Sequence, residues 1–105
     1  MIERTFVFLR SGVMWWTTLA EFEKGHVSET PAERRSDERL WAGTPAVRIE
    51  RSRRDDRTGI KYEWMDVLTI VDRRGVLFTL RSLPPITPSM RQTFDAMIST
   101  YVPDP

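Results

Sequence analysis

The chain has 105 residues, a formal net charge of +1, 40% hydrophobic residues, a single histidine and no cysteine. This length leaves room for one compact domain, and we predict a single domain over residues 1–105. The near-neutral charge excludes the strongly basic class of nucleic-acid-binding proteins. The lack of cysteine excludes disulfides, thiolate metal sites and cysteine nucleophiles. The composition therefore predicts a non-enzymatic protein with no cofactor and no metal.

The N-terminal segment contains a short apolar run without the pattern of a signal peptide. Four apolar residues, Phe6 to Leu9, follow the charged Glu3 and Arg4. No stretch of the chain approaches the roughly 20 apolar residues that a membrane-spanning helix needs. We therefore expect a cytoplasmic protein with no membrane span. Because Thr5 to Leu9 is rich in β-branched and aromatic residues, it predicts a short strand.

A short helix is predicted next, from a cap at Thr17 or Thr18 to about Lys24. The following segment, residues 28–39, is polar and charged and contains a proline, which indicates an exposed connector. Residues 40–51 have apolar side chains at alternate positions and predict a second strand.

The clearest pattern is the apolar alternation between Ile60 and Leu80, which predicts an antiparallel hairpin. A three-residue loop of Arg73, Arg74 and Gly75 would place the glycine at a positive φ. In that register the even-numbered residues of both strands share one face. Asp66 interrupts this face, so we expect it to be paired or near the rim of the sheet, with Ser82 opposite.

The C-terminal segment predicts an amphipathic helix. Thr87 is a suitable cap and Pro88 suits the first helical position. Helical spacing places five apolar residues on one stripe: Met90, Phe94, Met97, Ile98 and Tyr101. The predicted order is β-α-β-β-β-α, which indicates an α+β fold with an antiparallel sheet flanked by helices.

The odd-numbered face of the predicted hairpin is a candidate partner-binding surface. A first helix of about two turns is too short to cover it completely. We therefore expect a partner protein, or a second copy of the chain in a homodimer, to cover the remainder. The residues proposed for this contact are Met65, Val67, Thr69, Leu77 and Thr79.

The adjacent tryptophans Trp15 and Trp16 allow two interpretations. In the first, both rings belong to the core, one on the sheet and one in a helix–sheet seam; in the second, one ring is an exposed anchor for the partner. We include both residues in the candidate partner-binding set.

The arginine-rich segment Arg48 to Arg57 provides the alternative function. It contains five arginines and three acidic residues, and it predicts a solvated loop. A nucleic-acid-binding module would use its arginines on phosphates. The residues of that alternative are Arg51, Arg53, Arg54 and Arg57. Since Tyr62 and Trp64 follow the core alternation, they are not expected to form an exposed stacking platform.

Catalytic and metal-binding interpretations are weaker. His26 could act as a general base or a metal ligand, but a lone histidine near a helix end is more often structural. Asp55 and Asp56 could bind a cation, but the neighbouring arginines oppose one and favour a solvated hairpin tip.

The second half of the chain resembles the Mog1/PsbP-like superfamily. Within it the chain is most similar to bacterial DcrB-type domains and the Eag-type chaperones of type VI secretion effectors. The resemblance starts at Leu40 and rests on Ala42-Gly43-Thr44-Pro45-Ala46, the hairpin from Tyr62 to Leu80, Ser82-Leu83-Pro84-Pro85 and the segment from Phe94 to Tyr101.

This resemblance implies an α/β/α sandwich that binds other proteins, including secreted effectors, and has no enzymatic activity. The chain is short for the family and has no lipoprotein cysteine, and we expect it to lack an N-terminal pair of strands. No functional residue of the family can be assigned to a position here. The predicted function is an adaptor or chaperone that binds a partner protein through its sheet.

Overall fold

A computed structural model describes residues 5–12, 18–27 and 32–101, with the backbone alone described for residues 5–12. Five strands form one antiparallel sheet in the order β1-β5-β4-β3-β2, and this confirms the predicted α+β class. The elements in chain order are Thr5–Gly12 (β1), Leu19–Val27 (α1), Arg34–Leu40 (β2), Thr44–Arg54 (β3), Lys61–Val71 (β4), Arg74–Ser82 (β5) and Pro88–Thr100 (α2). A short 3-10 helix, Trp41–Gly43, joins β2 to β3.

The sheet has one strand more than the predicted order, because β2 lies where an exposed connector was expected. β2 pairs with β3 from Arg34 opposite Glu50 to Leu40 opposite Thr44. As an edge strand with both faces largely exposed, β2 carries charged residues at alternate and adjacent positions, which hides the apolar alternation of a strand. The prediction of a connector over residues 28–39 is therefore wrong for its second half.

The arginine-rich segment is also mostly strand. Arg48 to Arg54 belong to β3, and the turn that leads to β4 lies beyond them. The prediction of a solvated loop is correct only for the hairpin tip around Asp56 and Arg57.

The hairpin between β4 and β5 has a tighter turn than predicted. Val71 pairs with Arg74, so the loop consists of two residues, Asp72 and Arg73. Both have positive φ angles, 50° and 64°, as in the type I′ turn whose twist matches that of a hairpin. The predicted three-residue loop is wrong, and the register differs from the predicted one by three residues.

Gly75 serves packing and does not form the turn. It is buried in β5, and a Cβ built on it would lie 3.0 Å from two ring carbons of Phe22 in α1. The missing side chain therefore lets the Phe22 ring lie against the backbone of the sheet.

Each face of the sheet has its own hydrophobic core. The larger core lies between the sheet and α2, and its buried residues are Ala46, Met65, Val67, Val76, Phe78, Leu80, Ile86, Phe94 and Ile98. The smaller core lies on the other face, where Leu19 and Phe22 of α1 pack against the buried residues Val47, Ile49 and Leu68.

The last helix begins as predicted. The side chain of Thr87 accepts a hydrogen bond from the backbone N–H of Met90 at 3.2 Å, and Pro88 opens the helix. Phe94 is fully buried, but Met97 is 48% exposed and does not belong to the packed stripe. In the described part of the chain, neither helix is long and apolar enough to span a membrane.

The predicted partner-binding face does not form. Val67 pairs with Phe78, so residues of β4 share a face with residues of opposite parity in β5. Met65, Val67 and Thr69 are fully buried on the α2 side, whereas Leu77 and Thr79 lie half-buried on the α1 side. The register error is the physical reason, because a shift by an odd number of residues exchanges the faces of one strand. Trp15 and Trp16 lie outside the described residues.

Candidate functional site

The sheet face that carries α1 is covered by that helix over only part of its length. Asp66 of β4 marks the border: it is fully buried and accepts a hydrogen bond from Oγ1 of Thr79 at 2.9 Å. Its other carboxylate oxygen lies 3.0 Å from Nε2 of His26 in α1 and 3.3 Å from Nε of Arg51 in β3. Asp66 is thus paired, as expected from the sequence, but it lies in the interior and its partner across the strand is Thr79, not Ser82.

Beyond Asp66, five residues form what we call the arginine–aromatic strip: Arg51 and Arg53 of β3, Tyr62 and Trp64 of β4, and Arg81 of β5. The sheet brings them together, because Trp64 is opposite Arg51 on one side and Arg81 on the other, while Arg53 is opposite Tyr62. Arg53 is exposed, and the other four are half-buried.

Each ring of the strip contacts one guanidinium group and the other ring. The Cζ atom of Arg51 lies 5.0 Å from the ring centre of Trp64, and that of Arg81 lies 4.8 Å from the ring centre of Tyr62. The two rings meet edge to face with centres 5.9 Å apart. Cation–π contacts of this length hold the long arginine side chains in place. The strip is therefore an ordered surface although it is partly open to solvent.

A hollow of about 520 Å³ lies elsewhere, between β2 and the end of α2, and a second hollow of about 420 Å³ lies over the strip. The second is lined by the five strip residues together with Asp55, Asp56 and Arg57 of the hairpin tip. Four arginines and two aspartates line it, which leaves a formal net charge of +2.

Two arginines on the opposite face are bound to carboxylates of the fold. Arg48 of β3 pairs with Glu38 of β2 and with Asp95 of α2, and Arg91 of α2 pairs with Glu50. Burial disfavours the charge of Arg48, but the hydrogen bonds with Glu38 and Asp95 outweigh burial and raise its pKa above the ordinary value. These arginines connect layers of the fold.

Arg53 differs from these arginines. It is exposed at the end of the strip, and it forms no ion pair with any residue that the structure describes. Its charge is therefore not used by the described part of the fold.

The residues of the nucleic-acid alternative are divided by the structure. Arg51 and Arg53 lie in the strip and Arg57 lines the hollow, but Arg54 lies at the next position of β3 and donates to the carbonyl oxygen of Gly59 at 2.6 Å. In a strand, neighbouring side chains point to opposite faces. The four arginines thus do not form one surface.

The candidate catalytic and metal-binding residues lie in different parts of the structure. His26 is 21% exposed, and its Nε2 lies 3.0 Å from a carboxylate oxygen of Asp66 at the end of α1. Asp55 accepts a hydrogen bond from the backbone N–H of Arg57 at 2.8 Å, as expected for the hairpin tip. Among the described residues, no three carboxylates or histidines are grouped as metal ligands would be.

Sequence reasoning placed Tyr62 and Trp64 with the core and did not recognise their contact with arginines. The prediction that Tyr62 and Trp64 share a face with Asp66 and Leu68 is confirmed, because all four lie on the α1 face. What the pattern does not contain is the point at which α1 stops covering that face. The contact could have been predicted from the arginines that lie directly across from both aromatic residues. Recognising these pairs required the correct register.

No family model and no curated protein sequence matches the chain. Among solved structures, the chain is similar to a Pseudomonas aeruginosa protein, PA94, described as a protein of unknown function and a candidate regulator. The TM-score is 0.70 with 14% sequence identity, and the similarity covers 100% of this chain and 86% of that one. At this identity the similarity shows a shared fold and nothing about function.

Proposed function

We propose that the chain is a non-enzymatic protein-binding domain, an adaptor or chaperone in the cytoplasm, which holds a partner protein against its sheet. The contact surface is the arginine–aromatic strip, not the hairpin residues that the sequence indicated. The proposal includes membership of the Mog1/PsbP-like group, and it is supported by a sheet with one helix on each face.

The observation that carries the proposal is the composition of the strip and its exposure. Arginine, tryptophan and tyrosine are the residues most enriched at the energetically important centres of protein interfaces. Here they are adjacent, ordered by mutual stacking and half-open to solvent. A surface that is already ordered loses little conformational entropy when a partner binds to it.

The nucleic-acid alternative has less support. A base-stacking platform needs exposed ring faces, and the rings of Trp64 and Tyr62 already have Arg51 and Arg81 on them. Asp55 and Asp56 in the same hollow also reduce its excess positive charge, so it offers few unpaired cations to a chain of phosphates.

The test is a comparison of co-purified proteins, including the products of neighbouring genes, between the tagged chain and two variants. Arg53→Glu reverses the exposed charge of the strip, and Arg34→Glu makes the same change at an exposed position of β2. We expect at least one protein to be enriched with wild type and with Arg34→Glu, and to fall about tenfold with Arg53→Glu. If the wild-type chain returns alone, or if Arg53→Glu retains every partner, the proposal is wrong.

A further inference from the structure

The strip also indicates which chemistry its partner presents. This ligand class rests on the proposed function, since it concerns the same surface. A guanidinium group that stacks on a ring uses its planar face, while its N–H donors lie in the plane and are directed at the edge. Stacking therefore orders an arginine without using its hydrogen-bond donors.

Arg53 provides the clearest unused charge. It is exposed, and no carboxylate of the described residues is paired with it. Arg51, two residues away, has its Cζ 5.0 Å from the ring centre of Trp64 and uses its Nε for Asp66, while its two terminal nitrogens have no partner among the described residues. The pairs that arginine makes with carboxylates are its strongest hydrogen bonds, and they can be bidentate.

The charges that line the hollow also favour an acidic ligand. Asp55 and Asp56 reduce the charge of the four arginines to an excess of +2, and the ion pair of Arg51 with the buried Asp66 reduces it to +1. One oxygen of Asp55 is already bound to the backbone N–H of Arg57. A carboxylate-bearing ligand therefore meets net attraction here. The excess is smaller than that of surfaces which bind long polyphosphates.

The spacing of the two arginines suggests how a peptide would lie. Arg51 and Arg53 are alternate residues of one strand, and such residues are about 7 Å apart. Acidic residues at alternate positions of an extended peptide have the same separation. A segment lying along β3 could thus place one carboxylate at each arginine, while its backbone crosses the rings.

From this we infer that the strip binds an extended acidic segment of the partner protein, with Asp or Glu at alternate positions, and that Arg53 determines this preference.

The experiment is fluorescence anisotropy with a fluorescein-labelled 12-residue peptide in which Glu alternates with Thr. The control peptide has Gln in place of each Glu. We expect the Glu peptide to bind about tenfold more tightly than the Gln peptide at low salt, with an affinity that falls as salt increases.

Two variants locate the binding. Arg53→Gln should weaken the Glu peptide about fivefold or more, whereas Arg34→Gln, which removes the same charge from an exposed position on β2, should change it less than about twofold. Circular dichroism of both variants verifies that the sheet is intact. Equal binding of both peptides, or equal loss in both variants, would overturn the inference.

A labelled 12-nucleotide single-stranded DNA provides the competing class of ligand. If it binds as tightly as the Glu peptide and depends on Arg53, the strip is a nucleic-acid site and the inference is wrong. Failure of the acidic-segment inference can be distinguished from failure of the proposed function. If a partner is captured through Arg53 but the Glu peptide is not preferred, only the inference of an acidic ligand is wrong. If the chain prefers the Glu peptide but captures no partner protein, the proposed protein-binding role is wrong.

Discussion

Asp66 is the residue at which the helix-covered and open parts of one sheet face meet. Its buried carboxylate is bound from three sides, by His26, Arg51 and Thr79. A buried carboxylate is tolerated only when charge and hydrogen bonds compensate for the loss of water. The same oxygen is bound by His26 of α1 and Arg51 of the strip, so the packing of the helix and the position of the strip depend on one group.

We expect Asp66→Ala to lower the free energy of unfolding by about 3 kcal/mol, because it leaves three half-buried polar partners without their acceptor. Asp37→Ala is the matched control, since the Asp37 side chain is 80% exposed and pairs with Arg35 at the surface. It should cost less than about 0.5 kcal/mol. Urea denaturation measures both, and equal small losses would show that Asp66 does not hold the network together.

Gly75 is the second residue whose role can be tested. We expect Gly75→Val to destabilise the fold by about 2 kcal/mol, because the new side chain would overlap the Phe22 ring and displace α1. In a Phe22→Ala background the cost should largely disappear. A double-mutant cycle by thermal or urea denaturation measures this coupling, and additive effects would contradict the close contact.

At the scale of elements, α2 is the stronger of the two helical contacts. Phe94 is fully buried at the centre of the larger core, with Cζ of Arg48 5.8 Å from its ring centre. Phe94→Ala should therefore lower the free energy of unfolding by about 3 to 5 kcal/mol. Met97 lies on the same helix but is 48% exposed, so Met97→Ala should cost less than about 1 kcal/mol. Similar losses for the two variants would show that α2 packs with another face.

The accuracy of the sequence predictions differs between elements for physical reasons. The cap at Thr87 and the buried Phe94 could be predicted, because capping and helical periodicity are local properties. β2 could not, since an edge strand with two exposed faces lacks apolar alternation. The hairpin register failed at Gly75, where a glycine needed for contact with Phe22 was interpreted as a turn residue.

The candidate site shows the same division. That Asp66 would be paired followed from its position in an apolar strand, but its partner His26 is 40 positions away and is set by the packing of α1. The strip required both the register and the length of sheet that α1 covers, and neither of these is a local property of the sequence.

At the scale of the whole molecule, the two faces of the sheet are unequal. In the described part of the chain, nine buried residues form the core beneath α2 and three form the core beneath α1. Since local opening is easiest where the least apolar surface is buried, the α1 face is the weaker layer.

We expect the amides of α1 to exchange with deuterium by a local opening well before those of β4, β5 and α2. Hydrogen-exchange mass spectrometry measures this order. Asp66→Ala should accelerate exchange in α1 more than in α2, because His26 loses its anchor. Uniform protection of both helices would show that the two layers unfold together.

The outermost position of β2 has a consequence for how the protein behaves in a crowded solution. One side of its backbone pairs with β3, and the other is an edge of the sheet that pairs with no strand among the described residues. Such an edge is a template on which further chains can add without limit. Charged residues of both signs line this edge: Arg34, Arg35, Asp37, Glu38 and Arg39. An incoming strand would have to bury or oppose these charges, so the sheet ends at five strands and the chain resists aggregation through this edge.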